Sequence, residues 1–328
     1  MLDGLDRVEW SGLRHAFGTA EDVPHLIRAL TSPLPNERQA AFRELCGNIW
    51  HQGTVYEATS YAVPFLIELV ASNETPDRHY ILSYLGQLAD GSSYVDVHKS
   101  VVKFSQEQLS RQLEVELGWV AQTRKLVKSG EALYLDNLNT NERRICCAAG
   151  YVLSRFPEEG ERYWAPLRAR YDDADSDELV RCGLAIVTKE FSAKGTSDTQ
   201  WLLKMFEQEK HRSVRVALAV SIALSDEQRR DDALRFLIAN VLSDAHLDQS
   251  YHAQPWDRGE AIWHIVQALC ASKRGRRMLV SRFNELLFQD APRDRLDYLR
   301  YVLQGKLTTE PVCSELIGAL RPLTIPDD

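Results

Sequence analysis

A five-residue segment of this chain recurs: Val23-Pro24-His25-Leu26-Ile27 is answered 40 residues later by Val63-Pro64-Phe65-Leu66-Ile67. The same offset carries Asn36-Glu37-Arg38 onto Pro76-Asp77-Arg78 and Leu45 onto Leu85. In each copy the proline reads as a first-turn residue, where a missing N–H is harmless, and a polar break then leads into a second amphipathic helix. A period near 40 residues holding two helices predicts an all-α chain, a HEAT/armadillo-like α-solenoid of stacked helical hairpins.

Looser copies follow. Ala165-Pro166-Leu167 precedes Val180-Arg181 by a similar interval, and Arg144/Ala148, Arg181/Ala185 and Arg215/Ala219 align an arginine with an alanine four places on. The small alanine is expected to let helices approach. The arginine stem is expected to lie over a neighbour with its head in water. The organisation expected is a single solenoid over 1–328. It comprises two regular repeats in 10–90, a helical insertion or enlarged repeat in 91–130, degenerate repeats in 131–225, and further hairpins with a cap in 226–328. Within the insertion, 92–98 reads as a loop and Val101 to Lys128 as a helix. Pro311–Leu320 reads as a last short helix.

Composition narrows the function classes. With 44% hydrophobic and 26% charged residues the chain can bury a core. A net charge of -8 argues against a dedicated nucleic-acid binder, which needs surplus Lys and Arg on one face, and favours a basic partner. The first residues are acidic where a secretory signal is basic, and no apolar run approaches the roughly 20 residues that span a bilayer, so the reading is cytoplasmic, with no membrane partner. Cys46, Cys146, Cys147, Cys182, Cys270 and Cys313 form no CxxC pair and read as core thiols. His15, His25, His51 and His79 lack HxxxH or HExxH spacing, so no metal or other cofactor is expected.

One part of the chain carries a family likeness. Trp10, His15-Ala16-Phe17-Gly18, Ala20, Asp22 and Pro24, followed by Gly47-Asn48-Ile49-Trp50-His51-Gln52-Gly53-Thr54-Val55-Tyr56 and Ala62-Val63-Pro64-Phe65-Leu66, resemble a family of bacterial HEAT-repeat proteins. The likeness covers about residues 10 to 90. It implies a protein-binding scaffold, and HEAT-like helical proteins also include immunity proteins that neutralise bacterial toxins. It brings no catalytic residues with it.

Three stretches stand out as candidate surfaces. In Trp50–Tyr56, Gly53 permits a positive φ and hence a tight turn. There His51, Gln52, Thr54 and Tyr56 either contact a partner or serve the seam between repeats, with Trp50 and Tyr56 as plugs. Nearby, Thr19 or Asp22 is a natural N-cap for the helix at Val23, and Trp10 with Phe17 would cover the open end of the stack. The acidic run Asp172-Asp173-Ala174-Asp175-Ser176-Asp177-Glu178 either neutralises a helix N-terminus or steers a basic partner, through Asp172, Asp173 and Asp175, such as a cationic toxin. The segment His246–Trp256 reads as a polar, aromatic loop in which Tyr251, His252 and Trp256 have the composition of a recognition surface. Asp248 and His252 have no nucleophile motif beside them. The basic run Lys273–Arg277 reads as stabilising the helix that closes at Cys270.

Three functions stay open on this reading. The first is a non-enzymatic scaffold binding another protein on a face built from second helices such as 36–50, 76–90, 141–156 and 177–191, with a toxin-blocking immunity protein as a special case. The second is a HEAT-like nucleic-acid-binding or DNA-repair protein. The third is a lyase or chaperone-like protein handling a small molecule or chromophore.

Overall fold

Apolar residues three and four positions apart, each series opened by a proline or a polar residue, produce a chain of helices with almost no sheet. A computed structural model of the protein describes residues 1–98, 105–225, 230–256, 260–287 and 292–307. Val101, Phe104, Cys313 and the helix expected over Pro311–Leu320 lie outside the described residues. Contacts divide the chain into two units, Met1–Phe156 and Pro157–Asp328.

The first unit opens with a hairpin of β1 (Arg14–His15) and β2 (Gly18–Thr19). The helices α1 (Val23–Ala29) and α2 (Pro35–Ile49) pack on each other, and a second hairpin, β3 (Trp50–His51) with β4 (Thr54–Val55), follows directly. Next come α3 (Glu57–Ala71), α4 (Arg78–Ala89), the short α5 (Tyr94–His98) and the long α6 (Gln106–Ser129), then α7 (Glu131–Leu138) and α8 (Arg143–Ser154). The segment expected as a loop at 92–98 is therefore helical from Tyr94. Buried Glu116 of α6 accepts the Val95 N–H at 2.8 Å and the Ser93 hydroxyl at 2.7 Å, satisfying donors that a five-residue helix cannot satisfy itself.

Pro24 stands in the first turn of α1 as expected, but Pro64 lies inside α3. The helix begins earlier because the Tyr56 N–H donates to Thr59 Oγ1 at 2.8 Å and the Thr59 N–H to the Tyr56 carbonyl at 3.1 Å, which caps it at Glu57. Pro64 then removes one bond from the helix ladder, a loss of about 3 kcal/mol against an ordinary residue that burial of Val63, Leu66, Leu69 and Val70 offsets. Pro166 is likewise internal to its helix.

In the second unit α9 (Gly160–Asp172), α10 (Glu178–Ala193), α11 (Thr199–Gln208), α12 (Arg212–Leu224) and α13 (Arg230–Ala239) precede α14 (Ala245–His252), α15 (Ala261–Cys270), α16 (Lys273–Leu287) and α17 (Arg293–Leu307). Residues 182–188 of α10 and 216–223 of α12 are buried without a break. Such runs exceed one helical turn, so both helices are enclosed on every side over that stretch. Helix α10 packs on α9, α12 and α14, while α12 packs on α10, α11, α13, α14 and α15. In the first unit residues 81–86 of α4 and 145–150 of α8 are buried in the same way, and α4 is flanked by α3, α6 and α8. Of the second helices expected to form an open binding face, those at 76–90, 141–156 and 177–191 are thus core over these stretches, whereas α2 keeps Asn36, Glu37, Gln39, Ala40, Arg43 and Glu44 exposed.

Ala148, Ala185 and Ala219 are fully buried, as close helix approach requires. The aligned arginines behave differently from expectation in two cases. Arg181 donates to the Ser176 carbonyl at 2.6 Å and to Glu209 at 3.0 Å, and the Arg215 guanidinium lies 4.5 Å from the Phe236 ring centroid and 5.1 Å from that of Phe206. Only Arg144 of the three is exposed. No helix among the described residues is long and apolar enough to cross a membrane.

Candidate binding surface

The two hairpins of the first unit are built from different turns and locked by different networks. In the second, Gln52 at φ 52° and Gly53 at φ 89° occupy the two central positions between His51 and Thr54, the conformation that closes a two-residue hairpin without splaying its strands. This agrees with the tight turn read at Gly53. The Gly53 carbonyl accepts the Ser92 N–H at 2.9 Å and the Val55 N–H donates to the Ser92 carbonyl at 3.1 Å, so a residue beyond α4 pins the hairpin. Thr54 is completely buried, its hydroxyl 2.7 Å from the His51 carbonyl and 2.9 Å from the Tyr56 hydroxyl. Burial raises the Tyr56 phenol above its ordinary pKa, partly countered by the Thr54 hydroxyl.

The first hairpin is held by Asp22. The Phe17 N–H donates to His15 Nδ1 at 3.0 Å, which places the imidazole proton on Nε2, and Nε2 faces Asp22 Oδ1 at 3.1 Å. Asn48 Nδ2 donates to the other carboxylate oxygen at 2.6 Å, and the Ala16 N–H donates to the Asn48 carbonyl at 2.9 Å. Asp22 does occupy the N-cap position of α1, but its carboxylate makes no bond to that helix, because His15 and Asn48 take both oxygens.

This network holds out an aromatic ring. Phe17 is 68% exposed, with its ring edge-on to His51 at 5.1 Å between centroids. The lid expected from Trp10 and Phe17 therefore has only one member. Trp10 is buried, donates from Nε1 to the Leu5 carbonyl at 2.8 Å and lies 6.4 Å from Phe65. Of the residues expected to meet a partner here, His51 is half-buried beside Phe17, Gln52 is exposed, Tyr56 is half-buried and Thr54 is inaccessible. Phe17, Asp22 and Asn48 were not among them. The signal in the sequence was an apolar residue beside Gly18 in a turn, where nothing local requires one.

The acidic turn of the second unit is exposed but largely committed. Asp172 accepts the Trp201 indole N–H at 3.2 Å; Asp173 accepts the Asp175 N–H at 2.9 Å and lies 3.4 Å from Arg170. Asp177 caps α10 by accepting the Val180 N–H at 3.1 Å, so the run serves that helix end through a hydrogen bond where charge neutralisation was expected.

The segment expected as a recognition loop at 246–256 is helical as far as His252. Asp244 caps α14 through the Leu247 N–H at 2.9 Å, and Leu247 and Tyr251, one turn apart, both point inward. Tyr251 is fully buried with its ring 5.1 Å from His264, so it is not available to a partner; His252 is exposed and Trp256 half-buried. Asp248 is buried and accepts from the Ala261 N–H and from Arg295, each at 3.0 Å. In the basic run, Arg276 donates to the Cys270 carbonyl at 2.6 Å, as expected at that helix end, and Arg274 pairs with Asp231 at 2.7 Å.

A polar cluster that no sequence motif marked lies where α10, α12 and α14 begin or meet. Glu178 accepts from Ser213 at 2.6 Å and Ser250 at 3.2 Å and lies 3.1 Å from His211 Nδ1. The Ser213 hydroxyl, against the opposing cost of burial, holds the Glu178 carboxyl below its ordinary pKa, with Ser250 and His211 adding to the effect. For Glu209 burial pushes the other way, and the His211 and Lys210 N–H groups with Arg181 outweigh it, so its carboxyl is also lowered. Burial raises Tyr171, which donates to Glu209 at 3.1 Å. Among the described residues no group of three or more His, Cys, Asp or Glu side chains is placed to hold a metal ion. The chain matches no known protein-family model, and no curated protein matches it.

Proposed function

We propose that this chain is a non-enzymatic, cytoplasmic protein-binding scaffold of the HEAT type, and that the paired hairpins around Phe17, His51 and Gln52 are its contact surface. The observation that carries the surface is the Phe17 ring, 68% exposed at a turn whose neighbours are all fixed by hydrogen bonds. A rigid aromatic ring held in water offers contact area at small entropic cost, the property of an interface anchor. His51 and Gln52 supply polar groups beside it.

The repeat reading is supported by the equivalence of two arginines 40 residues apart. Arg38 donates to the Ser32 carbonyl at 2.9 Å in the turn before its helix and pairs with Asp77 at 2.8 Å. Arg78 donates to Asn73 at 2.6 Å in its own preceding turn and pairs with Glu142 at 2.8 Å, just ahead of α8. Each arginine thus ties its own hairpin to the entry of a later helix. The family resemblance of residues 10–90 makes toxin neutralisation the form of binding to test first.

The test is capture of partners from the native host by the tagged full chain, with Phe17→Ser and Asp175→Ala in parallel. The expected result is a protein retained by wild type and Asp175→Ala and lost with Phe17→Ser. Equal retention by all three would remove the hairpins as the surface, and retention of no protein would sink the scaffold reading.

A further inference from the structure

Three aromatic rings of the second unit form a corner that the chain leaves open. Tyr298 and Tyr301, three positions apart on α17, share one helix face, and α15 packs against that helix and brings Trp263 to them. The Trp263 indole N–H donates to the Tyr298 hydroxyl at 2.9 Å. The Tyr301 ring stands at 88° to that of Trp263, with 6.2 Å between centroids, and at 24° to that of Tyr298, with 6.3 Å between centroids. Tyr301 is 63% exposed, and Trp263 and Tyr298 are half-buried. No other ring and no cation of the chain stacks on the three among the described residues.

The carboxylates beside this corner outnumber their partners. Asp248 and Glu260 share a single Arg295 nitrogen, at 3.0 and 3.4 Å. Glu260 Oε1 and the Asp294 carboxylate make no bond among the described residues, and Asp297 pairs with Arg300 at 3.1 Å. With His252, which lies near Glu260, counted neutral, Asp248, Glu260, Asp294 and Asp297 stand against Arg293, Arg295 and Arg300, which leaves one negative charge in excess. Burial, joined by Asp248, raises the Glu260 carboxyl in spite of Arg295. Burial likewise raises the Tyr298 phenol against the Trp263 N–H, and Glu260 and Asp248 add to the rise. Both shifts are those of a place short of one cation.

We propose that this corner receives an arginine side chain of a basic polypeptide. A guanidinium is planar and weakly hydrated, stacks on aromatic faces and brings N–H groups for Glu260 Oε1. The Tyr298 hydroxyl, which accepts the indole N–H, keeps its own proton for a main-chain carbonyl beside the arginine, so a polypeptide fits better than a free cation. Charge excludes two nearer occupants. The chain after Leu307 holds Glu310, Glu315, Asp327 and Asp328 against Arg321, and a second copy would bring its own net charge of -8. The site lies in the other unit from the paired hairpins and does not depend on them.

Labelling the seven tryptophans with 15N gives indole N–H signals in NMR, and Trp263→Phe identifies that of Trp263. The intact protein is titrated at constant ionic strength and about pH 7.5, above the ordinary histidine range, with a blocked pentapeptide of glycines around a central arginine. The same peptide with lysine or with uncharged citrulline at its centre, and guanidinium chloride, run in parallel. The expected result is a saturable shift of the Trp263 signal with the arginine peptide, weaker with the lysine peptide and with guanidinium, and absent with citrulline. Tyr301→Leu should weaken the arginine peptide about two- to fivefold, the size of a cation–π contact at an exposed site, while Tyr301→Phe keeps the affinity. Glu260→Gln should weaken it as well. Absence of a response, an equal response to citrulline, equal affinity for lysine or for free guanidinium, or unchanged affinity in Tyr301→Leu or in Glu260→Gln would each overturn the assignment. Tyr301 makes no hydrogen bond among the described residues, and unchanged thermal unfolding of Tyr301→Leu verifies that its fold is intact.

Discussion

The paired hairpins of the first unit and the acidic turn of the second both read, from residue type alone, as surfaces for a partner, and they differ in what is left after the chain has satisfied itself. At the hairpins the polar groups, Asp22, Asn48 and Thr54, are turned inward and bonded, while Phe17 remains uncovered. At the turn, Asp172 holds Trp201, Asp173 holds Arg170 and the Asp175 N–H, and Asp177 caps α10. An exposed charge that already serves its own chain has little to offer a partner without giving up that service. An exposed aromatic ring behind a saturated network has no other use for its surface.

Mutation separates the two regions. The largest effect is expected from Asp22→Ala, which strands the His15 and Asn48 donors in a mostly buried setting; about 3 kcal/mol of stability should be lost in denaturant unfolding, since each orphaned group costs about 1–3 kcal/mol. A loss no larger than that of a surface change would mean that Asp22 does not lock the hairpin. Gly53→Val should cost about 2 kcal/mol, because a β-branched residue at φ 89° is strained; an unchanged melting temperature would show that the turn rearranges freely.

Asp177→Ala should cost about 1 kcal/mol through the lost cap, whereas a gain in stability would show that repulsion among the clustered carboxylates outweighs the cap. Acid titration sharpens the second region. Glu178 and Glu209 have folded pKa values below the ordinary 4.5, so the stability they contribute is present above that value and lost as pH falls through it towards the folded values. Glu209→Gln should flatten the acid limb of the stability curve, and an identical limb would mean that its bonds do not survive in solution. The smallest effect is expected at Asp175→Ala, within about 0.5 kcal/mol, as its side chain makes no bond among the described residues. A larger loss would show that the turn depends on it.

The helices themselves were legible because their cause is local. The helix start at Val23-Pro24 and the buried alanines at 148, 185 and 219 are set by spacing within a few residues. The errors had a common source. Pro64 reads as a helix start and stands inside α3, because Thr59 caps the helix earlier; the segment 246–256 reads as a loop because its polar residues are conspicuous, while Leu247 and Tyr251 one turn apart drive it into α14. At the candidate surface Gly53 was readable, since only backbone geometry was at stake. The exposure of Phe17 was not, because it depends on Asn48 reaching Asp22 from another helix.

Short-range sterics and periodicity make the chain mostly helical, repeat an arginine at a 40-residue interval and set a tight turn at Gly53. Tertiary structure alone decided which groups are spent and which are free. Burial of α10 and α12 on every side closes part of the expected open face, and bonds between residues far apart in sequence consume Glu209 and Asp22 while leaving the Phe17 ring largely exposed. A hydrogen bond needs a specific distance and direction between two groups, and for distant residues only the packed fold supplies both.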